Sequence, residues 1–250
     1  MPAIAKPRNV SGNNMDDHYT IALDKALTWV RKDFKPVAII VTGSIIRGNP
    51  DLNSDFDIYV IHQDTFRQRI QKYFDDIPCE IFVNNFKHIY DYLEQEYKDN
   101  RPVTAHMIST GKVIEGADNL ELQKLIQSAK EFLLKSPPLT DTKRINMRYA
   151  ISTLFEDSTD VKDTDTLTST YFLNKLISDI IDYIFRNNSI PLPRPKDRII
   201  YLEQNYPDIG KLIADYYRTE KFQDKYDIAK TLVGRTVGEY GFFEWDSGRD

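Results

Sequence analysis

Two acidic residues open an otherwise apolar strand in this chain, and few folds can absorb them. Asp55-Phe56-Asp57-Ile58-Tyr59-Val60-Ile61 reads as a strand whose first residues alternate carboxylate and apolar side chains. Strand side chains alternate faces, so Asp55 and Asp57 point to one side while Phe56, Ile58 and Val60 enter a core on the other. Acidic residues are disfavoured in strands, and two carboxylates held this close repel each other unless a cation lies between them. Their oxygens suit a hard divalent ion such as Mg²⁺ or Mn²⁺, which keeps waters and takes substrate phosphates as further ligands.

Upstream, the apolar run Val37 to Val41 reads as a buried strand that breaks at Gly43-Ser44. A polar loop through Gly48, Asn49, Pro50, Asp51 and Asn53 leads from this corner to the acidic strand. Taken alone, Gly43-Ser44 is an ordinary turn; its spacing to the Asp pair makes it a candidate phosphate cradle. Ser44 occupies the N-cap position of a short helix expected at Ile45-Ile46-Arg47, and free backbone N–H groups at a helix start bind phosphate. Arg47 either contacts phosphate or pairs with Asp55 or another acid.

Gly43-Ser44, the loop, and Ser54-Asp55-Phe56-Asp57 before an apolar strand resemble the signature of the polymerase-β-type nucleotidyltransferase superfamily. The Arg47-Gly48 pair and the loop length resemble the bacterial antibiotic (aminoglycoside-type) nucleotidyltransferases and their small relatives. The resemblance implies that Gly43 and Ser44 bind nucleotide phosphates and that Asp55 and Asp57 bind divalent metal. It also implies a third carboxylate on a later strand, and the matching position is Glu80 in Pro78-Cys79-Glu80-Ile81-Phe82-Val83. Glu80 enters its strand near the start, as Asp55 does, and serves as metal ligand or as base toward an acceptor hydroxyl.

With 250 residues the chain holds one large domain or two modest ones. The order of elements gives an α+β architecture: an N-terminal nucleotidyltransferase domain with a short mixed β-sheet flanked by helices, over residues 15–135, then a C-terminal helical bundle over 139–245. Helices are predicted at Tyr19 to Lys32, Thr65 to Phe74, Phe86 to Tyr97, Thr104 to Thr110 and Leu120 to Leu134. A strand is predicted at Cys79 to Val83, with Glu80 and Phe82 on one face, and a short one at Lys112 to Ile114. Ser136-Pro137-Pro138 marks the boundary. Beyond it, helices are predicted at Lys143 to Glu156, Thr168 to Arg186, Lys196 to Gln204, Pro207 to Thr219 and Phe222 to Gly241, with the acidic stretch Glu156 to Asp165 as a solvated loop. Arg194 and Lys196 read as surface charge; Cys79 reads as a packed strand residue.

A net charge of −5 argues against general nucleic-acid binding. The single cysteine allows no internal disulfide, no apolar run is long enough to span a membrane, and residues 1–14 form a loose arm without the apolar core of a signal peptide. The expectation is a cytoplasmic enzyme without membrane association, with a homodimer allowed by the apolar helical stripes. By resemblance it transfers a nucleoside monophosphate, AMP from ATP, to a hydroxyl of a small acceptor such as an aminoglycoside-like compound. A protein hydroxyl, as in toxin-modifying relatives, and a non-catalytic nucleotide-binding module are the alternatives.

Overall fold

A computed structural model describes residues 17–246. The arm expected at residues 1–14 lies outside them. The chain divides into two compact units, one of residues 17–96 and 102–133, the other of 97–101 and 134–246. Among the described residues no helix is long and apolar enough to cross a membrane.

The first unit opens with α1 (Asp17–Phe34), whose stripe Ala22, Leu23, Ala26, Leu27 and Val30 is buried. The strands are β1 (Ala38–Thr42), β2 (Phe56–Ile61), β3 (Gln68–Phe74), β4 (Ile77–Asn84) and β5 (Lys112–Glu115); α2 (Phe86–Lys98), α3 (Val103–Thr110) and α4 (Leu120–Phe132) complete the order. The sheet order is β3-β4-β2-β1-β5. It is mixed: β2 runs parallel to β4, while β1 is antiparallel to β2 and β5, and β3 is antiparallel to β4.

Alternation sorts the side chains into two cores. Ile39, Val41, Phe56, Ile58, Val60, Cys79, Ile81 and Val83 pack with the α1 stripe. On the other face Ala38, Ile40, Tyr59 and Ile61 pack with Ile89 and Leu93 of α2, Ala105 and Ile108 of α3, and Leu122 and Leu125 of α4. Asp55 and Asp57 precede Tyr59 on that second face, so they stand just past the end of its apolar patch.

The segment predicted as a helix over Thr65 to Phe74 is instead strand β3. Ile70 and Phe74 are four apart, a spacing that puts two residues on one side of either a helix or a strand. The turn decides between them: Asp75 and Asp76 take φ of 45° and 63°, and Phe74 pairs with Ile77 across a two-residue hairpin. Aspartate tolerates the left-handed region, and two such residues make the turn whose twist fits a hairpin. A second correction concerns Ile45-Ile46-Arg47, which form a turn rather than a helix; Arg47 N donates to Gly43 O (3.2 Å) and Asn49 N to Ser44 O (3.0 Å). Ser44 therefore caps no helix.

The second unit is helical, with α5 (Asp141–Val161), α6 (Thr166–Asn187), a 3-10 turn at Pro195–Asp197, α7 (Arg198–Asn205), α8 (Pro207–Arg218) and α9 (Phe222–Thr236). Leu173, Leu176, Ile177, Ile180 and Ile184 of α6 are buried against Ile213, Tyr216 and Leu232. The loop expected from Glu156 is mostly helix, since α5 continues to Val161. Its polar residues are spent inside: Ser158 and Ser169, both fully buried, share a hydrogen bond of 2.7 Å, and Thr159 bonds back to Phe155 O at 2.8 Å. Glu156 is exposed on α5. Helix α9 stops at Thr236, short of the expected Gly241, because Gly238 takes φ +86° just beyond it.

Candidate active site

Register brings the carboxylates together. In the parallel β2–β4 pair Asp57 lies opposite Glu80, and in the antiparallel β1–β2 pair it lies opposite Thr42. Parallel neighbours in register present side chains to the same face, so a short strand beginning Asp-x-Asp and another carrying Glu80 deliver all three acids to one place. One oxygen from each of Asp55, Asp57 and Glu80 lies within 4.8 Å of the other two.

The Gly43 corner closes over this cluster. Gly43 has φ +110°, and a Cβ there would meet the Asp55 carbonyl oxygen at 2.9 Å and Asp57 Oδ2 at 3.5 Å. Only glycine takes that conformation and leaves that space. Ser44 is half-buried, and its hydroxyl shares a hydrogen bond of 2.6 Å with the hydroxyl of Ser54. Ser54, 7% exposed, also receives the Asp51 N–H at 2.8 Å. The loop between the two strands is thereby pinned at both ends, with Ser54 orienting Ser44.

The electrostatics favour a cation at the carboxylates. Burial, then the charges of Asp55 and Glu80, push the Asp57 carboxyl up to about 6, partly offset by Arg47 and Arg69. Asp55 is raised for the same leading reason, burial, with smaller contributions from Glu80 and Asp51. The Thr42 hydroxyl, 2% exposed and opposite Asp57, has no hydrogen-bond partner among the described residues. Three converging carboxylates, an orphaned buried hydroxyl and a raised aspartate fit a hard divalent ion, which binds oxygen ligands at about 2.1 Å and needs its carboxylates ionised.

This has a pH consequence with a definite sign. The folded-state pKa of Asp57 is above the unfolded value of about 3.9, so between about pH 4 and pH 6 the native state holds a proton that the unfolded state has lost. The stability this group contributes is complete below about pH 4 and is lost as pH rises through about 6. Thermal melts in chelator should therefore show Asp57 lowering the midpoint between about pH 5 and about pH 7.5, and Mg²⁺ should restore it only at the higher pH. Equal Mg²⁺ protection at both pH values would contradict this.

All the residues singled out from the sequence as site candidates, Gly43, Ser44, Asp55, Asp57 and Glu80, fall on or beside this cluster, and Arg47 is exposed on the turn that follows the corner. His62 follows β2, five residues past Asp57 and about 16 Å further along, with Nε2 3.1 Å from Phe66 O. Cys79 packs on the opposite face, its thiol pushed up to about 12 by burial. In the second unit, Arg194 pairs with Asp197 at 2.6 Å. The residue that sequence reading missed is Arg69. It lies on β3 and binds Glu80 through both Nε and Nη2. Reading the segment as a helix hid it; as a strand, Arg69 and Gln71 fall on the face of Glu80, with Gln71 directly opposite it.

The stretch that carries this geometry is similar to a known family. A family described as "Nucleotidyltransferase domain" matches residues 23–135. Among solved structures the chain is similar to a nucleotidyltransferase-like protein from Exiguobacterium sibiricum 255-15, at 11% identity and a TM-score of 0.49, over 88% of this chain and 74% of that one. No curated protein sequence matches. Residues 23–135, the stretch similar to that nucleotidyltransferase domain family, carry the glycine corner and all three carboxylates.

Proposed function

We propose that the chain transfers a nucleoside monophosphate, AMP from ATP, to a hydroxyl of a small acceptor, in a reaction that depends on Mg²⁺ or Mn²⁺. The observation that carries this reading is the meeting of Asp55, Asp57 and Glu80 beneath a glycine that cannot bear a side chain. In this reading Asp55 and Asp57 hold the divalent ion, with Glu80 as the third wall of the site. When bound, the ion neutralises charge on the triphosphate and the departing pyrophosphate. Gly43 lets the polyphosphate approach the backbone, and Ser44, steadied by Ser54, donates to a phosphate oxygen. Arg47, exposed on the turn, supplies further positive charge to the same phosphates. Holding donor and acceptor in line against the carboxylates supplies the remainder of the rate through positioning. A cationic, hydroxyl-bearing acceptor suits a site lined by three acids.

The reading is tested with ATP labelled on the α-phosphate, incubated with Mg²⁺, a panel of aminoglycosides and, separately, cell lysate. Label should pass to a small molecule only when Mg²⁺ is present. Label on a protein band instead would move the acceptor to a protein hydroxyl. Label from the γ-position, or transfer unaffected by chelator, would contradict nucleotidyl transfer.

A further inference from the structure

Arg69 has no part in the proposed reaction, yet it is built firmly into the site. It stands on β3 at the edge of the sheet, and its side chain is 65% exposed while the Glu80 side chain it binds is 14% exposed. Both its bonds, and a longer one from Gln71 Nε2 at 3.4 Å, fall on a single oxygen, Oε1. The guanidinium lies 5.3 Å from the centre of the Phe82 ring, and Phe82 stacks on Tyr59 at 5.2 Å with 15° between the planes. An aromatic pillar thus supports the cation from the side of the sheet, at a place where cation–π attraction adds to the ion pair. Arg69 is close enough for its charge to act on Asp57. Glu80 accordingly has a cation of its own within the chain, and that cation repels any divalent ion placed on the neighbouring aspartates.

We propose that Arg69 is the resident counter-ion of the carboxylate site, holding Glu80 through Oε1 and weakening the binding of a divalent ion in the absence of nucleotide. This rests on the metal-dependent reading above. Asp55 and Asp57 would then hold an ion best with a bound polyphosphate, whose anionic oxygens would restore the negative charge that the guanidinium cancels. Arg69 is a positioning residue in this scheme, and it acts through Glu80.

The test is titration of the metal-free protein with Mn²⁺ alone, followed by electron paramagnetic resonance, for the wild type, Arg69→Gln, Arg69→Lys and Asp57→Asn. Because Arg69 is exposed on an edge strand, its replacement leaves the cores untouched. Arg69→Gln should bind Mn²⁺ roughly three- to tenfold more tightly than wild type, with the gain shrinking as salt is raised. Arg69→Lys, which keeps the charge, should stay close to wild type. Arg69→Gln binding Mn²⁺ no more tightly than wild type overturns the proposal while leaving the metal site standing. Wild type and Asp57→Asn binding Mn²⁺ equally would instead overturn the metal-dependent reading, and this proposal with it.

Discussion

Asp57→Asn should cut nucleotidyl transfer by roughly a thousandfold or more and at the same time raise the melting temperature of the metal-free protein. Both effects come from one carboxylate. Asp57 sits between Asp55, two residues earlier and just before β2, and Glu80, opposite it on β4. Near neutral pH it is ionised in spite of a carboxyl pushed up to about 6, and that ionisation costs the fold stability. An amide of the same shape removes the repulsion and keeps the packing of Phe56 and Ile58 behind it. It also removes the anionic oxygen on which the metal reading depends. Initial rates with Mg²⁺, and melts with and without it, check both halves: the variant should melt higher than wild type in chelator and gain little from Mg²⁺. A variant that transfers at near-wild-type rate would remove Asp57 from the chemistry.

Gly43→Ala should be the next most damaging change, for a steric reason that a distant glycine tests. At φ +110° any side chain is strained, and the new Cβ would press on the Asp55 carbonyl oxygen at 2.9 Å, a backbone atom that cannot swing away. The corner must shift, and the Asp57 carboxylate beside it shifts too. A loss of about 1–3 kcal/mol is expected, seen as a drop of roughly 3–10 °C in the melting midpoint. Misplacing reacting groups by a fraction of an ångström to one ångström costs transfer about a hundredfold. Gly48, on the same loop, is the comparison: it has φ +75° but nothing within 4 Å of an added Cβ. Gly48→Ala should cost about 1 kcal/mol of backbone strain and leave the transfer rate within a fewfold of wild type. Equal loss of activity in the two variants would mean that the close approach at Gly43 is unimportant.

The placing of the carboxylates on one face of the sheet is legible in the sequence because strand alternation is strict. Asp55 and Asp57 on one face, with Phe56, Ile58 and Val60 on the other, follow from period two alone, and so does the separation of Glu80 and Phe82 from Cys79, Ile81 and Val83. The apolar stripe of α6 was equally plain, because Leu173 through Ile184 repeats at helical spacing. What escaped were features set by partners distant in sequence. Ile70 and Phe74 satisfy helix and strand equally, and only the left-handed Asp75-Asp76 turn, with β4 waiting beyond it, selects the strand. That misreading concealed Arg69. Ser158 and Thr159 look like loop residues, and become helical in a packed interior where Ser158 shares a hydrogen bond with Ser169 and Thr159, donating to Phe155 O, shares one with the Tyr226 hydroxyl. Ser54 was visible in the motif, but its bond to Ser44 depends on how the intervening loop folds back.

In the proposed reading Asp55 and Asp57 hold a divalent ion through which the chain binds a nucleoside triphosphate. Calorimetric titration with a non-hydrolysable ATP analogue, in Mg²⁺ and in chelator, on wild type and on Asp57→Asn, tests it most directly. One analogue should bind per wild-type chain in Mg²⁺, with at least a tenfold loss of affinity in chelator or in the variant. Analogue binding of equal strength with and without Mg²⁺, or in the wild type and the variant alike, would contradict it.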